Sequence, residues 1–383
     1  MRYGADTNEV VKRALDHLRD GTTDQAPETL ELPVSTYLDE DRFYREFEVI
    51  FKQKPQAIVL SIEVPEPGNY VASTIMGVPL LIARGKDGVA RVFLNVCRHR
   101  GAKLCDDGKG KASRFICPYH AWTYNNTGKL VGVTGKEKFG EAEIGSLGLQ
   151  ELCSVEAAGV IWATLTPGFE FDIDEWLGDA RGELERLELD QWHLYTKHVV
   201  EGPGWKVAMD GYLEAYHHDT VHAKTLSPHT IGNLLVHNIY GRHQRLTMAR
   251  RNLKELEEIP ESEWNAGAYI RQIHCIFPNF QLSGILGGHC LVSQIFPGDT
   301  PDTTVTIQSI LSARKPETDE ELEACEAFSK LANYAVKQED YPIGFGIQQG
   351  LASGANDHFV IGRNEPGIQH YHHTVERVMK DNR

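Results

Sequence analysis

The chain has 383 residues, of which 41% are hydrophobic and 24% are charged, a composition typical of soluble globular proteins. Its length predicts two domains, or one domain that carries a large insertion. The formal net charge of -15 argues against binding to nucleic acid, which requires clustered Lys and Arg side chains.

Membrane and secretory features are not evident in the sequence. No apolar run is long enough to span a bilayer, and the N-terminal stretch "MRYGADTNEVVKRALDHLRD" is too polar for a secretory signal. The seven cysteines are odd in number and scattered, which favours free thiols or metal ligands over a disulfide framework. We therefore expect a cytoplasmic protein with no membrane partner.

The predicted elements begin with helices and then change to strands. Apolar residues have helical spacing over 6–20 and 38–52. From about residue 57, short β-rich runs are separated by Gly and Pro, and "NNTGK" at 125–129 predicts a hairpin turn. The strand "GVIWATLTP" ends this β region at 167.

The second half of the chain mixes helices and strands. A helix is predicted to begin near Trp205, six strand-like runs flank it or follow it, and one long helix is predicted from Asp319 to Leu351. The predicted fold class is α+β, with a small all-β domain inserted in a larger α+β domain whose antiparallel sheet is flanked by helices. The predicted boundaries are 1–52 for the N-terminal helical arm of the larger part, 53–168 for the inserted domain and 169–383 for the rest.

Two cysteines and two histidines interleave on loops of the predicted β domain. "CRHRG" supplies Cys97 and His99, and "CPYH" supplies Cys117 and His120. Such a set also binds zinc, but zinc fingers usually supply both cysteines first and both histidines later. A [2Fe–2S] cluster explains the alternation better, because thiolates hold one iron and imidazoles hold the other. Cys105 lies outside the pattern and is interpreted as a thiol that is not a ligand.

The segment "CRHRGAKLC … CPYHAWTY" resembles the cluster-binding segment of the Rieske non-haem iron oxygenases, in their alpha-type ring-hydroxylating subunits. The resemblance covers essentially the whole chain. It implies a Rieske domain at 53–168 and a catalytic domain with a mononuclear Fe(II) at 169–383. Trp122 and Tyr124 match the aromatic positions of the family motif, where simple packing of the β domain explains them equally well.

A second cluster of carboxylates and histidines lies in "GWKVAMDGYLEAYHHDTVH", residues 204–222, on the predicted helix. Two histidines and one carboxylate on one face of Fe(II) leave other positions open for O₂. On an ideal helix, His218 and His222 form the natural pair. The family pattern Glu/Asp-x-x-His-x4-His instead implies His217 and His222, which requires the helix to end or deform before His222.

The resemblance also implies roles for two carboxylates. Asp340, in "VKQEDYPIGFGIQQGLASG", matches the Asp that binds iron in the family, and Glu339 is the adjacent alternative. Glu214 matches a carboxylate that bridges the iron site and a Rieske histidine of a neighbouring subunit, in a homotrimer. Asp210 is predicted to support the site or to lie on the helix surface. Gly211 stands where many relatives have Asn, which removes an amide near the iron.

The implied function is that of a terminal oxygenase component. It uses O₂ and electrons that come ultimately from NAD(P)H, through a ferredoxin or a flavin reductase, to hydroxylate an organic substrate. An oxidative demethylase, an electron carrier without oxygenase activity and a structural zinc module remain as alternatives. Family frequency favours a hydrophobic aromatic or alicyclic substrate, and the sequence reveals neither an aromatic cage for a cation nor an acid-binding Arg pair. The predicted pocket-lining residues are Val207, Leu213, Leu226, Ile276 and Phe280.

Overall fold

The computed structural model describes residues 5–140, 143–286 and 288–381. The chain divides into two compact units, one formed by Met1–Ile50 with Leu177–Arg383 and the other by Phe51–Trp176. The smaller unit is thus inserted in the larger one, and it begins slightly before 53 and ends after 168, the limits that the sequence predicts. Both ends of the larger unit contribute helices to one α+β architecture, so the predicted fold class is confirmed.

The described residues begin with helices and one short strand, continue with a long run of strands and end with helices and strands mixed. The helices are α1 (Ala5–Asp20), α2 (Ser35–Leu38), α3 (Glu40–Glu46), α4 (Ile173–Leu177), α5 (Ala180–Glu185), α6 (Trp205–Tyr212), α7 (His218–Val221), α8 (Asp319–Tyr334), α9 (Tyr341–Ala352) and α10 (Pro366–Asp381). The strands before residue 170 are β1 (Leu30–Pro33), β2 (Gln56–Leu60), β3 (Asn69–Ile75), β4 (Val78–Arg84), β5 (Ala90–Leu94), β6 (Gly108–Lys111), β7 (Arg114–Ile116), β8 (Thr123–Asn125), β9 (Leu130–Gly132), β10 (Glu151–Leu152), β11 (Ser154–Ala157) and β12 (Val160–Ala163). The later strands are β13 (His193–Gly202), β14 (Thr230–Tyr240), β15 (His243–Arg250), β16 (Ile270–Ile276), β17 (Phe280–Leu286), β18 (His289–Pro297), β19 (Thr304–Ser312) and β20 (His358–Ile361). None of the described helices combines the length and the apolar character needed to cross a bilayer.

A seven-stranded antiparallel sheet is the centre of the larger unit. Its strand order is β13-β19-β18-β17-β16-β15-β14. Strands β15 and β18 are buried along almost their whole length, which means that both faces of the sheet are covered. Helix α1 packs Val10, Val11 and Ala14 against Leu234 and Val236 of β14, because those apolar residues share one face of the helix.

The predicted helices are present, but two of them contain a wider turn. The predicted helix 38–52 begins at Glu40, because Asp39 is extended and accepts a hydrogen bond from the Arg42 backbone N–H, and a π-helical turn follows at Phe47–Lys52. The predicted helix from Asp319 to Leu351 is divided into α8 and α9 by a π-helical turn at Ala335–Asp340. The prediction of one regular helix is therefore wrong at this turn, and such turns occur frequently at functional sites.

A buried ion pair connects the N-terminal segment of the larger unit to α6. The Lys206 Nζ donates to the Glu46 carboxylate and to the Thr36 carbonyl oxygen, at 2.6 Å from the latter. The two charged side chains are 6% and 0% exposed. Burial lowers the pKa of the Lys206 ammonium, and the Glu46 carboxylate offsets only part of that effect.

Glu46→Gln is expected to lower the free energy of unfolding by about 3–5 kcal/mol, because it leaves the Lys206 ammonium buried without its counter-charge. Urea titration followed by tryptophan fluorescence measures the change. Glu376→Gln is the matched control, since Glu46 and Glu376 both pair with Arg42. The Glu376 side chain is 45% exposed, so that a loss below about 1 kcal/mol is expected for this variant. Equal losses in the two variants would contradict the buried pair as the cause.

The smaller unit is built from three antiparallel sheets. Their strand orders are β10-β5-β4-β3-β6, β11-β12-β2 and β7-β8-β9. Strands β8 and β9 are joined by the predicted turn, in which Gly128 has a φ of 77° and the Asn125 side chain accepts from the Lys129 backbone N–H. Phe93, Phe115, Trp122 and Tyr124 form an aromatic core that includes the side chains of the predicted cysteine ligands.

Candidate functional site

Two loops of the smaller unit carry the predicted cluster ligands, and both loops close in the same way. In the first, Cys97 N–H donates to the Ala102 oxygen and Gly101 N–H to the Cys97 oxygen. In the second, Cys117 N–H donates to the Trp122 oxygen and Ala121 N–H to the Cys117 oxygen. The fifth residue of each loop is left-handed, with a φ of 78° at Gly101 and 57° at Ala121. The two loops therefore present a cysteine and a histidine in related geometry.

The loops bring the four side chains together as two pairs. The Cys97 and Cys117 side chains interact directly, and both are almost completely buried. The rings of His99 and His120 lie 4.7 Å apart between centroids. Trp122 stacks on His99 with an interplanar angle of 9° and a centroid distance of 4.9 Å, so this aromatic residue also orients a predicted ligand.

The donor set fits a cluster that takes thiolates on one side and imidazoles on the other. Burial raises the pKa of the Cys117 thiol, but the backbone N–H groups of Tyr119 and His120, with the Cys97 side chain, lower it by more. Burial, with His120 and Arg100 nearby, lowers the pKa of His99, which favours the neutral imidazole that binds metals. His120 Nδ1 is buried and makes no hydrogen bond within the described ranges, as expected of an atom that binds a metal.

Two neighbouring side chains complete this region. The Tyr124 hydroxyl lies 3.4 Å from the Cys97 sulfur and accepts from the Arg98 backbone N–H at 3.0 Å. Cys105 makes its backbone contacts with Asn95 instead, and burial raises the pKa of its thiol. Cys105 therefore has the properties of an unreactive thiol, consistent with its place outside the motif.

A second group of potential ligands lies in the larger unit, where α6 ends at Tyr212 and α7 begins at His218. The non-helical residues between the helices carry Glu214 and His217, and His222 follows the end of α7. His222 Nε2 lies 2.9 Å from Asp340 Oδ1, and His217 Nε2 lies 3.6 Å from the same oxygen. The structure thus brings the two predicted histidines and the predicted carboxylate to one point.

A carboxylate stands behind each of these two imidazoles. Glu214 pairs with His217 Nδ1, and it also accepts from the backbone N–H of His217 at 3.1 Å. Glu339 Oε2 lies 2.8 Å from His222 Nδ1 and accepts from the Thr225 hydroxyl at 2.6 Å. Carboxylates on the far nitrogen of metal-binding histidines fix the ring and raise its basicity. Glu339 therefore faces the side of His222 that is turned away from Asp340.

The negative charge of the carboxylates around His222 also fits a bound cation. Burial lowers the pKa of His222, but Asp340 and Glu339 outweigh it, so that its pKa is raised. Asp340 itself ends the π-helical turn Ala335–Asp340, which sets the direction of its side chain.

His218 offers an alternative third imidazole. Nitrogen atoms of His217, His218 and His222 lie within 4.8 Å of one another. His218 Nδ1 is buried and has no hydrogen-bond partner among the residues described. Burial, Arg271 and the neighbouring histidines lower the pKa of His218 to about 2, so that its ring is neutral. Unlike His217 and His222, this ring has no carboxylate partner in the described part of the chain.

Asp210 lies further from the histidines. It accepts from the Tyr37 hydroxyl at 2.7 Å and pairs with His372 Nε2 at 2.9 Å. These contacts link α6 to α10 and to the N-terminal segment, so that Asp210 is not a surface residue. Gly211 leaves open space, since a Cβ placed there would meet no described atom within 4 Å.

A cavity opens beside His217, His222 and Asp340. Its empty volume is about 930 Å³, a figure that includes the open mouth. One wall comes from the central sheet, and the opposite wall comes from α8 and the turn that follows it. The residues that form these walls include Ile273, Ser283, Leu291, Phe328, Leu331 and Val336.

Of the five predicted pocket-lining residues, Leu226 lines this cavity. Val207 lines a second cavity that also includes His217 and Asp340. Leu213, Ile276 and Phe280 are buried but line neither of the two cavities, so their prediction is wrong. The hydrophobic pattern marked them as interior residues without showing which side of an element they face.

Comparison with known families identifies both units. Residues 189–381 match the model of the ring hydroxylating alpha subunit (catalytic domain), which is half of the chain. The chain belongs to the ring-hydroxylating alpha-subunit family. Residues 54–148 match the Rieske [2Fe-2S] domain. The family prediction is therefore confirmed, and so is the pairing of a Rieske domain with a non-haem iron catalytic domain.

Curated relatives of this family member include monooxygenase and dioxygenase subunits. The glycine betaine monooxygenase oxygenase subunit of Chromohalobacter salexigens is 32% identical over 213 residues, which are 55% of this chain and 47% of that protein. The match thus spans about half the length of that relative. The carnitine monooxygenase oxygenase subunit of Escherichia coli is 27% identical over 92% of this chain and 95% of its own.

Solved structures share the fold of the family. The quaternary ammonium Rieske monooxygenase CntA has a TM-score of 0.79 at 23% identity, covering 92% of this chain and 96% of its own. Naphthalene 1,2-dioxygenase from Rhodococcus has a TM-score of 0.76 at 19% identity, covering 98% of each chain. The matches to both family models argue against the alternatives of a simple electron carrier and of a zinc module.

The sequence did not predict the contacts of every residue in the site. Glu339 was expected only as an alternative to Asp340, and Thr225 was not expected at all. Glu339 is 117 residues from His222, so no spacing reveals the contact. Thr225 is close to His222 in the chain, but its partner Glu339 is 114 residues away. Two arginines of the cavity wall, Arg250 of β15 and Arg271 of β16, were also missed.

Proposed function

We propose that this protein is the terminal oxygenase component of a Rieske oxygenase system, which inserts oxygen from O₂ into an organic substrate. The observation that carries the proposal is the position of Asp340 Oδ1, which faces Nε2 of both His217 and His222. The opposite nitrogen of each ring is held by another carboxylate, Glu214 or Glu339. Such an arrangement is suited to Fe(II) with open positions for O₂.

In the proposal each unit holds one metal centre. Cys97, Cys117, His99 and His120 hold a [2Fe–2S] cluster, and His217, His222 and Asp340 hold Fe(II). When bound, the cluster supplies electrons one at a time and Fe(II) supplies the activation of O₂. The protein contributes fixed ligands, because Trp122 orients His99 and the two outer carboxylates orient His217 and His222. The cavity beside Asp340 offers the substrate a largely apolar wall next to the proposed ligands.

Glu214 is proposed to couple the two kinds of centre across a subunit boundary. It holds His217 through Nδ1 and is part of the wall of both cavities. The proposed assembly is a homotrimer in which a Rieske histidine of the neighbouring subunit approaches this carboxylate. One solved member of the fold has been described in terms of inter-subunit electron transfer.

Electrons are proposed to come from NAD(P)H through a partner ferredoxin or flavin reductase. A cytoplasmic location is proposed as well. It is supported by the seven cysteines, none of which forms a disulfide bond in the described structure. Relatives named for glycine betaine and carnitine favour monooxygenation, including oxidative demethylation, whereas relatives named for naphthalene and chlorobenzene favour ring dioxygenation. Product analysis with labelled O₂ separates these reactions.

Metal analysis of anaerobically purified protein tests the proposal. About three irons and about two acid-labile sulfides per chain are expected, with a Rieske-type EPR spectrum after reduction. About two irons without further uptake of Fe(II) would favour an electron carrier. Zinc without sulfide would overturn both metal assignments.

Cys117→Ser is expected to reduce the sulfide content from about two per chain to near zero and to abolish the Rieske EPR signal. The reason is that a serine hydroxyl is not a thiolate and does not replace one of two ligands to the same iron. Cys105→Ser is the matched control, because this thiol lies outside the Cys-x-His and Cys-x-x-His pattern and its backbone contacts Asn95, and it is expected to retain the full sulfide content. Loss of sulfide in the Cys105 variant alone would contradict the assignment.

A further inference from the structure

Two arginines lie side by side on the sheet wall of the cavity next to Asp340. In the antiparallel pair β15–β16, Met248 is opposite Arg271, and Arg250 follows Met248 by two residues. Side chains two residues apart on a strand share a face, so Arg250 and Arg271 are diagonal neighbours on one face of the sheet. Both line the cavity.

Arg271 has a donor atom that none of the described residues uses. Its Nη1 is buried and has no hydrogen-bond partner among the described residues. Buried polar atoms are normally paired, and a guanidinium nitrogen that is not paired costs free energy until a ligand satisfies it. Burial and the nearby Arg250 charge lower the pKa of Arg271 to about 10, so that it remains charged at neutral pH.

The carboxylates of the cavity do not supply this partner. Glu214 is engaged by His217, and Asp340 faces the two histidines. Ile273 follows Arg271 by two residues on β16 and is opposite Ser283 of β17. The next residues on the face that carries Arg271 are therefore apolar or small. An unpaired cationic donor therefore projects from a wall that continues as an apolar surface toward the histidines.

We propose that Arg271, assisted by the neighbouring Arg250, binds an anionic group of the substrate, a carboxylate being the best match to the fork of guanidinium donors. The inference rests on the proposed function, since it assigns this cavity to the substrate. The apolar part of the molecule then packs on Ile273, Leu291 and Phe328, and its reacting carbon faces His217, His222 and Asp340. Arg–carboxylate pairs are strong and often bidentate, and they fix orientation as well as affinity.

The same pair of arginines selects against some substrates. A cation without an acid group meets two positive charges, and the aromatic side chains that line the cavity are only Tyr212 and Phe328 among the residues described. Neutral hydrocarbons leave Arg271 Nη1 unpaired after they displace water. The sequence revealed no acid-binding Arg pair, because Arg250 and Arg271 become neighbours only through the pairing of adjacent strands. With this pair in place, the preferred substrate class becomes a hydrophobic acid.

Binding of matched acids and amides to the metal-loaded protein tests this inference without turnover. The probes are benzoate, cyclohexanecarboxylate and 2-naphthoate, each compared with its amide by anaerobic isothermal titration calorimetry. For at least one pair, the acid is expected to bind about tenfold tighter than the amide or more. Arg271→Gln is expected to weaken binding of that acid by about 10- to 100-fold and to leave binding of the amide within about twofold.

Two further variants separate the role of the charge from effects on folding. Arg271→Lys keeps the positive charge and is expected to recover part of the preference for the acid. Arg314→Gln makes the same substitution at an exposed arginine that pairs with Glu321, and it is expected to leave both affinities unchanged. Equal affinities of acid and amide for the unaltered protein, no binding of any acid at millimolar concentration, or an Arg271→Gln variant that keeps the preference would overturn the inference.

Iron and sulfide are measured in the same samples. Full metal content without a preference for acids refutes the anion site and leaves the proposed function standing. If the protein takes up neither iron nor sulfide but still shows a preference for acids that depends on Arg271, the anion site is supported and the proposed function is refuted.

Discussion

Asp340→Ala is expected to reduce the iron content from about three to about two per chain and to leave the sulfide content near two. Asp340 is the carboxylate whose Oδ1 faces Nε2 of both His217 and His222, so that its removal leaves two ligands for Fe(II). Oxygen uptake coupled to substrate is then expected to fall to background. Metal analysis, sulfide analysis and an oxygen electrode measure the three quantities on one preparation.

Neighbouring variants show whether this effect belongs to Asp340. Glu339→Gln removes the carboxylate behind His222, and a loss of about 10- to 100-fold in Fe(II) affinity is expected, with iron still bound at saturating concentration. His218→Ala is expected to keep the third iron. If His218→Ala loses that iron and Asp340→Ala does not, the metal is held by the three imidazoles and the proposed ligand set is wrong.

Glu214→Gln is expected to keep all three irons but to slow electron delivery to the mononuclear site by about 10- to 100-fold. The carboxylate pairs with His217 Nδ1 and accepts from the His217 backbone N–H. Glutamine keeps the shape and an accepting oxygen, but it removes the charge that makes the imidazole a stronger ligand. Stopped-flow absorbance of the reduced cluster, mixed with O₂ and substrate, measures the rate of its oxidation.

Asp210→Asn is the matched control for Glu214→Gln. Asp210 lies one turn earlier in the chain and contacts Tyr37 and His372 rather than His217. The Asp210→Asn variant is expected to change the rate of cluster oxidation by less than about threefold, because the contacts of Asp210 position α6 and do not position a proposed metal ligand. A Glu214 variant that loses its third iron would mean that this carboxylate is itself a ligand, and one with an unchanged rate would remove it from the path of electrons.

The candidate ligands of the smaller unit could be predicted well because the residues of each pair are close together in the sequence. The spacing of Cys97 with His99 and of Cys117 with His120 is short, and each pair lies on one loop between strands. The larger unit was harder, since helix periodicity alone favours His218 with His222. Helix α6 ends at Tyr212, before the ligands, so the periodic rule does not apply there. The family pattern, rather than periodicity, pointed to His217.

The remaining features depend on contacts between distant parts of the chain. Glu339 meets His222 across a sequence separation of 117 residues. The arginine pair depends on the register of β15 against β16, which places Arg250 and Arg271 on one face. A shift of one residue in that register would turn one strand's side chains to the other face. Neither the pairing nor the register can be read from a single sequence.

The π-helical turn Ala335–Asp340 makes chain length, rather than residue identity, a constraint on the position of Asp340. It holds one residue more per hydrogen-bonded turn than an α-helix does. Before it, α8 supplies Phe328 and Leu331 to the cavity wall, and at its end stands Asp340. Deleting one residue there would rotate Asp340 by about 100° relative to α8 and turn it away from the histidines. Substitutions in this wall are thus expected to change its shape while Asp340 stays in place, whereas a change of a single residue in length between the wall and Asp340 is expected to separate the cavity from this carboxylate.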